Sequence, residues 1–505
     1  STFAFASELK ALRCLPGAQL EVDRDAVAQM LRFGHIPGPS SIYRGIAKLQ
    51  PGQIATLRVG SSHAGGSGVT PGTAPTIETY WSAARVAEAG VAHQLDDSTH
   101  GLVNQLESHL ERAVRARMIS DVPLGAFLSG GIDSALVVAM MARVSAAPIE
   151  TFTIGFEDAR YDESAAALEI SRALRTKHHT LRATARDAMA VIPSLASIYD
   201  EPFADSSQIP TAMLSALARS NVTVVLSGDG GDELFGGYDR YVFAPQIWKS
   251  LHNAPPWLRA IARSFTAADG KSRRGILAQA VRLVMPPWSR SDRMSEKICR
   301  IAPLLNERTF AGAYRALAQT SDHCDGLVLG ATAAPTDASA HLWQANLTDL
   351  SAQMMQRDLV TYLVDDILVK VDRASMSVGL EVRSPMLDHH LIEWAWRLPM
   401  SAKIRGGKGK VIARELAARL FPGGLSQQPK RGFGVPIAEW LRGDLREWAE
   451  DLVSHDRLAR DGFLDPVATR ALWASFLRGQ QIDQHLIWAI LMFQSWLDGG
   501  REAGG

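Results

Sequence analysis

An α/β fold, a doubly wound parallel sheet followed by a mostly helical part, is predicted by three features of the sequence. Short apolar runs alternate with segments of helical spacing between about residues 96 and 240. Two of those runs, "PLGAFLSGG" and "VTVVLSGDGGD", end in Ser-Gly. Beyond about residue 240 the strand signals fade and helical periodicity continues to the end. At 505 residues the chain is too long for one hydrophobic core, so two or three domains are expected.

Residues 1–82 read as a β-rich unit. "STFAFASEL" and "GQIATLRV" alternate or carry short apolar runs, and Tyr80-Trp81 starts another. Residues 60–76, "GSSHAGGSGVTPGTAPT", are rich in Gly, Ser, Thr and Pro and predict a flexible loop between strands. A second unit is expected over 96–505, divided into an α/β part (96–240) and a mainly helical part (241–505). Helical spacing in "THGLVNQLESHLERAVRARM" leads into the strand "PLGAFL". The helix "IDSALVVAMMARV", the strand "IETFTIGF", the helix "YDESAAALEISRAL" and the strands "HHTLRA" and "VTVVLS" follow. Strands separated by helices at this spacing imply a parallel sheet. The helical part contains a Pro- and Gly-punctuated stretch at 399–436, and no internal repeat is found.

Composition excludes several function classes. Lys plus Arg number 53, as do Asp plus Glu, so the formal net charge is zero and no basic nucleic-acid footprint is expected. No apolar run reaches the roughly 18 residues of a membrane span; Leu486–Phe493 reads as a buried helix. Glu8, Lys10 and Arg13 interrupt any early signal-like stretch. The cysteines, Cys14, Cys299 and Cys324, are far apart without C-x-x-C spacing, so neither a zinc site nor a disulfide framework is expected. Cys14 is expected to be a core thiol, and a reducing, cytoplasmic location fits this cysteine usage.

The chemistry concentrates at the two Ser-Gly strand ends. Ser129-Gly130-Gly131 falls between a strand and a helix, where glycines let the backbone approach an anion and the helix N-terminus offers free N–H groups. Ser129 and Ser134 can add hydroxyls. Asp133 would repel a bare phosphate, so its chemical role is to hold Mg²⁺ against phosphate oxygens. The alternative is a Gly-Gly turn with Ser and Asp as helix caps. A P-loop is excluded because no lysine follows, and the dinucleotide pattern G-x-G-x-x-G is absent. In "VVLSGDGGDELFGGY", Ser227-Gly228 is followed by Asp229, Asp232 and Glu233, carboxylates that need a cation nearby. An acidic helix N-terminus explains one or two of them. Two such loops on neighbouring strands describe a nucleotide-and-metal cleft.

"SGGIDS" resembles the pyrophosphate loop of the ATP pyrophosphatases. With "TFTIGFEDARYDES", "DEPFADSSQIPT", "SGDGGDELFGGY", "VDRASMSVGLEVRSPMLD" and "GKGKVIARELA" in this order, the chain resembles the bacterial-type glutamine-hydrolysing asparagine synthetases along essentially its whole length. The resemblance implies an adenine nucleotide alpha-hydrolase-like sheet, with residues 1–82 a remnant of an Ntn-type glutaminase domain. It implies an ATP site in which the backbone at Leu128 and Ile154 brackets adenosine and Ser227 and Gly228 complete the nucleotide site. Ser129, Gly130, Gly131, Asp133 and Ser134 would hold pyrophosphate and Mg²⁺, with Asp232 the second metal carboxylate. Asp229 stands at the acidic position that serves formation of the β-aspartyl-AMP intermediate, and Lys410 at the catalytic lysine, with Lys408 the competing assignment.

The implied reaction converts aspartate, ATP and an ammonia source to asparagine, AMP and PPi. Another carboxylate acceptor, such as a uronic acid, and a catalytically inactive nucleotide-binding fragment remain alternatives, and a homodimer is an assembly left open. The family's N-terminal nucleophilic cysteine has no counterpart here, so ammonia is expected to be the nitrogen source and glutaminase activity to be missing. Unpaired sheet edges and an uncovered apolar face are expected over 1–82. Two polar stretches stay ambiguous between substrate contacts and domain docking: Asp200, Glu201, Asp205 and Ser206, and Arg373, Glu381, Arg383 and Asp388. His178 and His179 read as structural.

Overall fold

The computed structural model describes residues 3–18, 20–58, 60–61, 67–68, 74–158, 160–252, 307, 309–319, 324, 326–332, 345–425, 434–480 and 484–502. Cys299 and part of the 399–436 stretch lie outside them.

The predicted parallel sheet is present and has five strands. β5 (Leu124–Phe127), β6 (Glu150–Phe156), β7 (Lys177–Ala183) and β8 (Val224–Leu226) correspond to the four apolar runs read as strands. The fifth, β9 (Glu381–Arg383), comes from the part read as helical. It escapes sequence reading because it is three residues long and partly exposed, and because it is fixed by pairing with β8 (Val224↔Glu381, Leu226↔Arg383). The strand order is β7-β6-β5-β8-β9, with every neighbouring pair parallel.

Helices cover both faces. α4 (Thr99–Arg117) starts at Ser98, whose hydroxyl accepts from the Gly101 N–H, and buries Leu102, Leu106, Leu110 and Val114 at helical spacing. α5 (Ile132–Val144) is buried almost all round, as expected for an apolar helix between α4 and the helix Val411–Leu420. α6 (Ser164–Leu174) and α7 (Ala185–Ile198) flank β7, and α7 opens on a Thr184–Asp187 capping box. α8 (Gln208–Arg219) places Leu214 and Ala218 against Phe152 and Val225 on the other sheet face. The short α9 (Gly231–Phe235) and then α10 (Asp239–His252) follow β8.

The N-terminal region is less β-rich than its sequence suggests. The described part of "STFAFASEL" is not a strand, and α1 (Leu9–Arg13) begins inside it. Alternation alone does not make a strand: Phe3 and Phe5 have no sheet partner among the described residues and are exposed. α2 (Arg24–Phe33) also replaces β structure in the region read as β-rich: Asp23 caps its start, Gly34 ends it in the left-handed region, and Val27, Met30 and Leu31 share one buried face. "GQIATLRV" does supply β1 (Gln53–Thr56), which pairs antiparallel with β4 (Thr76–Thr79); that strand ends before Tyr80 instead of starting there. Within the predicted loop 60–76, β2 (Gly60–Ser61) pairs with β3 (Ser67–Gly68), while 62–66 and 69–73 lie outside the described residues.

This region is not simply an uncovered face. Val27, Met30 and Leu31 of α2 are buried in a core shared with the helix Gln484–Glu502. That helix buries Leu486–Phe493, as predicted. Arg13 sits over Tyr43 and Trp496 and donates to the Asp200 carbonyl at 2.8 Å. The β1–β4 ribbon is the exposed element, with Ile54 and Ile77 at 50% and 47%. Cys14 is exposed, against the expectation of a core thiol, because it follows α1 on the surface; Cys324 is buried. No helix among the described residues is long and apolar enough to cross a membrane.

Candidate active site

The strand order reverses between β5 and β8: β6 and β7 extend the sheet one way, β8 and β9 the other. In open α/β sheets, ligands bind beyond the carboxyl ends of the strands at such a reversal. Both Ser-Gly loops leave the sheet there.

The first loop is a self-supporting turn. Gly131 caps α5 in an extended conformation and its N–H donates to Ser129 Oγ at 3.1 Å. Ser134 Oγ accepts from the Ser129 N–H at 3.1 Å and lies 3.0 Å from Ser129 Oγ. The two serines predicted to add donors for phosphate therefore bond first to their own turn. Leu128 is buried and its N–H donates to the Phe152 carbonyl at 2.9 Å; Ile154, also buried, lies two residues farther along β6, beyond the end of β5.

The second loop packs directly on the first. A Cβ on Gly228 would lie 2.7 Å from the Ser134 backbone nitrogen, so only a residue without a side chain lets the loops approach this closely. Ser227 is anchored on β9's flank: its N–H donates to the Arg383 carbonyl at 2.9 Å and its Oγ lies 3.0 Å from Ser384 Oγ.

Asp133 from the first loop and Asp232 from the second converge on Lys410. Its Nζ lies 2.7 Å from Asp232 Oδ1 and also donates to Asp133 Oδ2. All three are buried, at 7%, 8% and 5% exposure respectively for Asp133, Asp232 and Lys410. Lys408 is exposed in a turn, its N–H donating to the Arg405 carbonyl, so Lys410 is the lysine that meets the carboxylates. Asp133 Oδ1 is buried without a hydrogen-bond partner. Asp229 is half-buried, and its charge is among those holding the pKa of Lys370 up.

Burial, then the charge of Asp232, raises the Glu233 carboxyl to about 7, although it accepts from the Tyr238 hydroxyl at 2.7 Å. Lys370 donates to Asp205 Oδ2 at 2.7 Å and to Ser207 Oγ at 2.8 Å. Burial opposes both charges of that pair, but their mutual attraction outweighs it and holds Asp205 far below the ordinary carboxylate range.

The ambiguous polar stretches divide. Asp205 belongs to the Lys370 cluster near Asp229, with Ser207 instead of Ser206 as the hydroxyl. Most of the others dock elements: Lys48 with Glu201, Lys10 with Asp200, Arg373 with Glu8, Arg117 with Asp388, and Arg383 with the Arg117 and Ile119 carbonyls, while the Arg383–Glu381 pair lies within β9. His178 bonds Thr151, and His179 bonds Glu150 and stacks on Phe152, both structural as expected. Lys370 and Ser384 were not singled out from the sequence. The available signal was weak: a lone lysine in "ILVKV" and a serine next to Arg383.

Comparison with known proteins agrees with this geometry. Residues 105–498 match the family model "Asparagine synthase", and residues 1–65 match "Glutamine amidotransferase domain". A Mycobacterium tuberculosis (strain ATCC 25618 / H37Rv) protein, provisionally named a glutamine-hydrolysing asparagine synthetase, is 30% identical over 98% of this chain and 70% of its own length. Asparagine synthetase (glutamine-hydrolyzing) 1 of Bacillus subtilis (strain 168) is 27% identical over 97% of this chain and 71% of its own. Amidase chyE of Penicillium rubens is 25% identical over 74% of this chain and 58% of its own.

Proposed function

The chain belongs to the asparagine synthase family, and from that membership we propose that it amidates aspartate in an ATP-dependent reaction with ammonia as nitrogen donor. The observation that carries this reading is the meeting of two Ser-Gly strand ends at the sheet's switch point, with Asp133, Asp232 and Lys410 converging between them.

The chain's own groups supply the parts such a reaction needs. The N-terminus of α5 offers N–H groups to pyrophosphate oxygens, while the Ser129 and Gly131 N–H groups hold the shape of the turn that leads into it. The backbone at Leu128 and Ile154, with Ser227 and Gly228, receives the adenosine. Asp133 and Asp232 form a donor set suited to Mg²⁺, which is commonly bound by one or two carboxylates plus substrate phosphates. The unpartnered Asp133 Oδ1 fits that use, and no cluster of three or more metal-binding side chains occurs among the described residues to serve instead. When bound, the ion supplies charge neutralisation to the departing pyrophosphate.

In the first step a carboxylate oxygen of the acceptor attacks the α-phosphorus and pyrophosphate leaves, giving β-aspartyl-AMP. Ammonia then attacks the acyl carbon, loses a proton, and AMP leaves. Asp229, one residue past Ser227-Gly228, is assigned to the reacting carboxylate. Lys410 is assigned to the charge that builds on phosphorus and on the departing pyrophosphate.

ATP–pyrophosphate exchange without a nitrogen donor tests this reading, since it reports adenylation and the acceptor together. Exchange that depends on aspartate is expected. Exchange with a uronic acid and none with aspartate would overturn the acceptor, and none with any carboxylate would overturn the adenylation.

A further inference from the structure

Lys410 occupies a place that the reaction assigns to a metal. We propose that Lys410 is the built-in counter-ion of the Asp133–Asp232 pair and admits a divalent cation to these carboxylates only together with the nucleotide. This rests on the assignment of Asp133 and Asp232 as the metal carboxylates.

The lysine is carried to this point by an uncommon backbone. Residue 410 has φ 57° and ψ 36°, the left-handed region that residues bearing a Cβ seldom adopt. The conformation is pinned on both sides: the Lys410 N–H donates to the Phe235 carbonyl at 2.9 Å, and its carbonyl accepts from the Arg414 N–H at 2.8 Å. The stem then runs past Gly237, where a Cβ would lie 2.2 Å from Lys410 Cε and 1.9 Å from Asp232 Oδ1. The backbone is therefore fixed, while the ammonium is held by two carboxylate oxygens on a flexible four-carbon stem and can swing away from them.

Charge accounting makes the coupling. Two buried carboxylates without a cation repel each other, and Lys410 relieves this in the protein without ligand. A divalent ion arriving alone must shed tightly held water and push aside a doubly paired ammonium, leaving that ammonium buried and unpaired. Arriving with a nucleotide, the ion brings phosphate oxygens, and the displaced ammonium pairs with them. No buried charge is then left without a partner. The same movement takes Lys410 from the carboxylates to the phosphate chain, so binding of metal and nucleotide delivers the residue assigned to the transition state.

The test measures Mn²⁺ binding by electron paramagnetic resonance, alone and with α,β-methylene-ATP, which cannot be cleaved at the reacting bond. The wild-type protein is expected to bind Mn²⁺ at least about tenfold more tightly with the analogue. Lys410→Met is expected to bind Mn²⁺ alone about tenfold more tightly than wild type does, and to gain Tm on its addition. Adding Asp232→Asn to that variant should abolish the gain, which locates the ion. Equal Mn²⁺ affinity of the wild type with and without the analogue would overturn the proposal, whether or not Lys410→Met folds. So would equal affinity of wild type and Lys410→Met for Mn²⁺ alone. Failure of the wild type to hold Mn²⁺ even with the analogue would overturn the metal assignment beneath it.

Discussion

Replacing Lys403 by methionine is expected to stabilise the protein by an amount that shrinks as pH rises. Lys403 ends the helix Met400–Lys403, is 1% exposed, and places its Nζ 4.5 Å from the centre of the Trp396 ring. Burial lowers its pKa from 10.5 to about 7, with the charge of Asp349 opposing that change. The unfolded chain therefore binds the extra proton between about pH 7 and 10.5, and stability rises with pH across that window. At about 1.36 kcal/mol per pH unit, the buried charge costs about 5 kcal/mol below pH 7 and about 1–2 kcal/mol near pH 9.5. Methionine has nearly the same length and packs its sulfur on Trp396, but it forgoes a cation–π contact of about 1 kcal/mol. A net gain of about 3–4 kcal/mol is expected near pH 6, falling by about 3 kcal/mol near pH 9.5. Urea unfolding of both proteins at the two pH values measures it. A variant that is less stable near pH 6, or whose advantage is the same at both, would refute the account of Lys403 as a charge held against its burial.

Three further outcomes follow from the site. Lys410→Ala should lower kcat by the equivalent of about 2.7–4 kcal/mol while raising the KM for ATP much less; steady-state kinetics showing the loss in KM alone would remove Lys410 from the transition state. Gly228→Ala puts a Cβ 2.7 Å from the Ser134 backbone nitrogen, forcing the two loops apart; nucleotide affinity should fall by about 1–3 kcal/mol with circular dichroism unchanged, and normal ATP titrations would show that the loops can yield. Lys370→Met leaves the half-buried Asp205 carboxylate without its cation and should cost up to about 3 kcal/mol in chemical denaturation, with Lys370→Met/Asp205→Leu recovering most of it. Because Asp205 lies far below its ordinary 3.8, the stabilisation of this pair is full above that value and is lost progressively as pH falls well below it; a loss that is no smaller well below pH 3.8 than at about pH 7 would contradict the pairing.

Local sequence determined the parts of this protein whose physics is local. Strands β5 to β8 and helices α4 to α8 followed from periodicity, because each has a face buried by its own neighbours and the apolar pattern records that burial. The two Ser-Gly loops were legible for the same reason: glycine where backbones must approach, with Ser and Asp at a helix start, can be read without knowing what lies opposite. Asp133, Asp232 and Lys410 were singled out by residue type, motif and family resemblance. Their contact was not legible, since Lys410 is 277 residues from Asp133 in sequence. What the tertiary structure alone decided were features held by distant partners. β9 exists because β8 offers an edge, not because Glu381–Arg383 favours a strand. Phe3 and Phe5 alternate like a strand and yet have no such edge among the described residues. Lys410 was separable from Lys408 only once the left-handed backbone at 410 was seen to turn one lysine inward and leave the other in solvent. A buried charge is set by the sum of the groups around it, and that sum belongs to the folded chain.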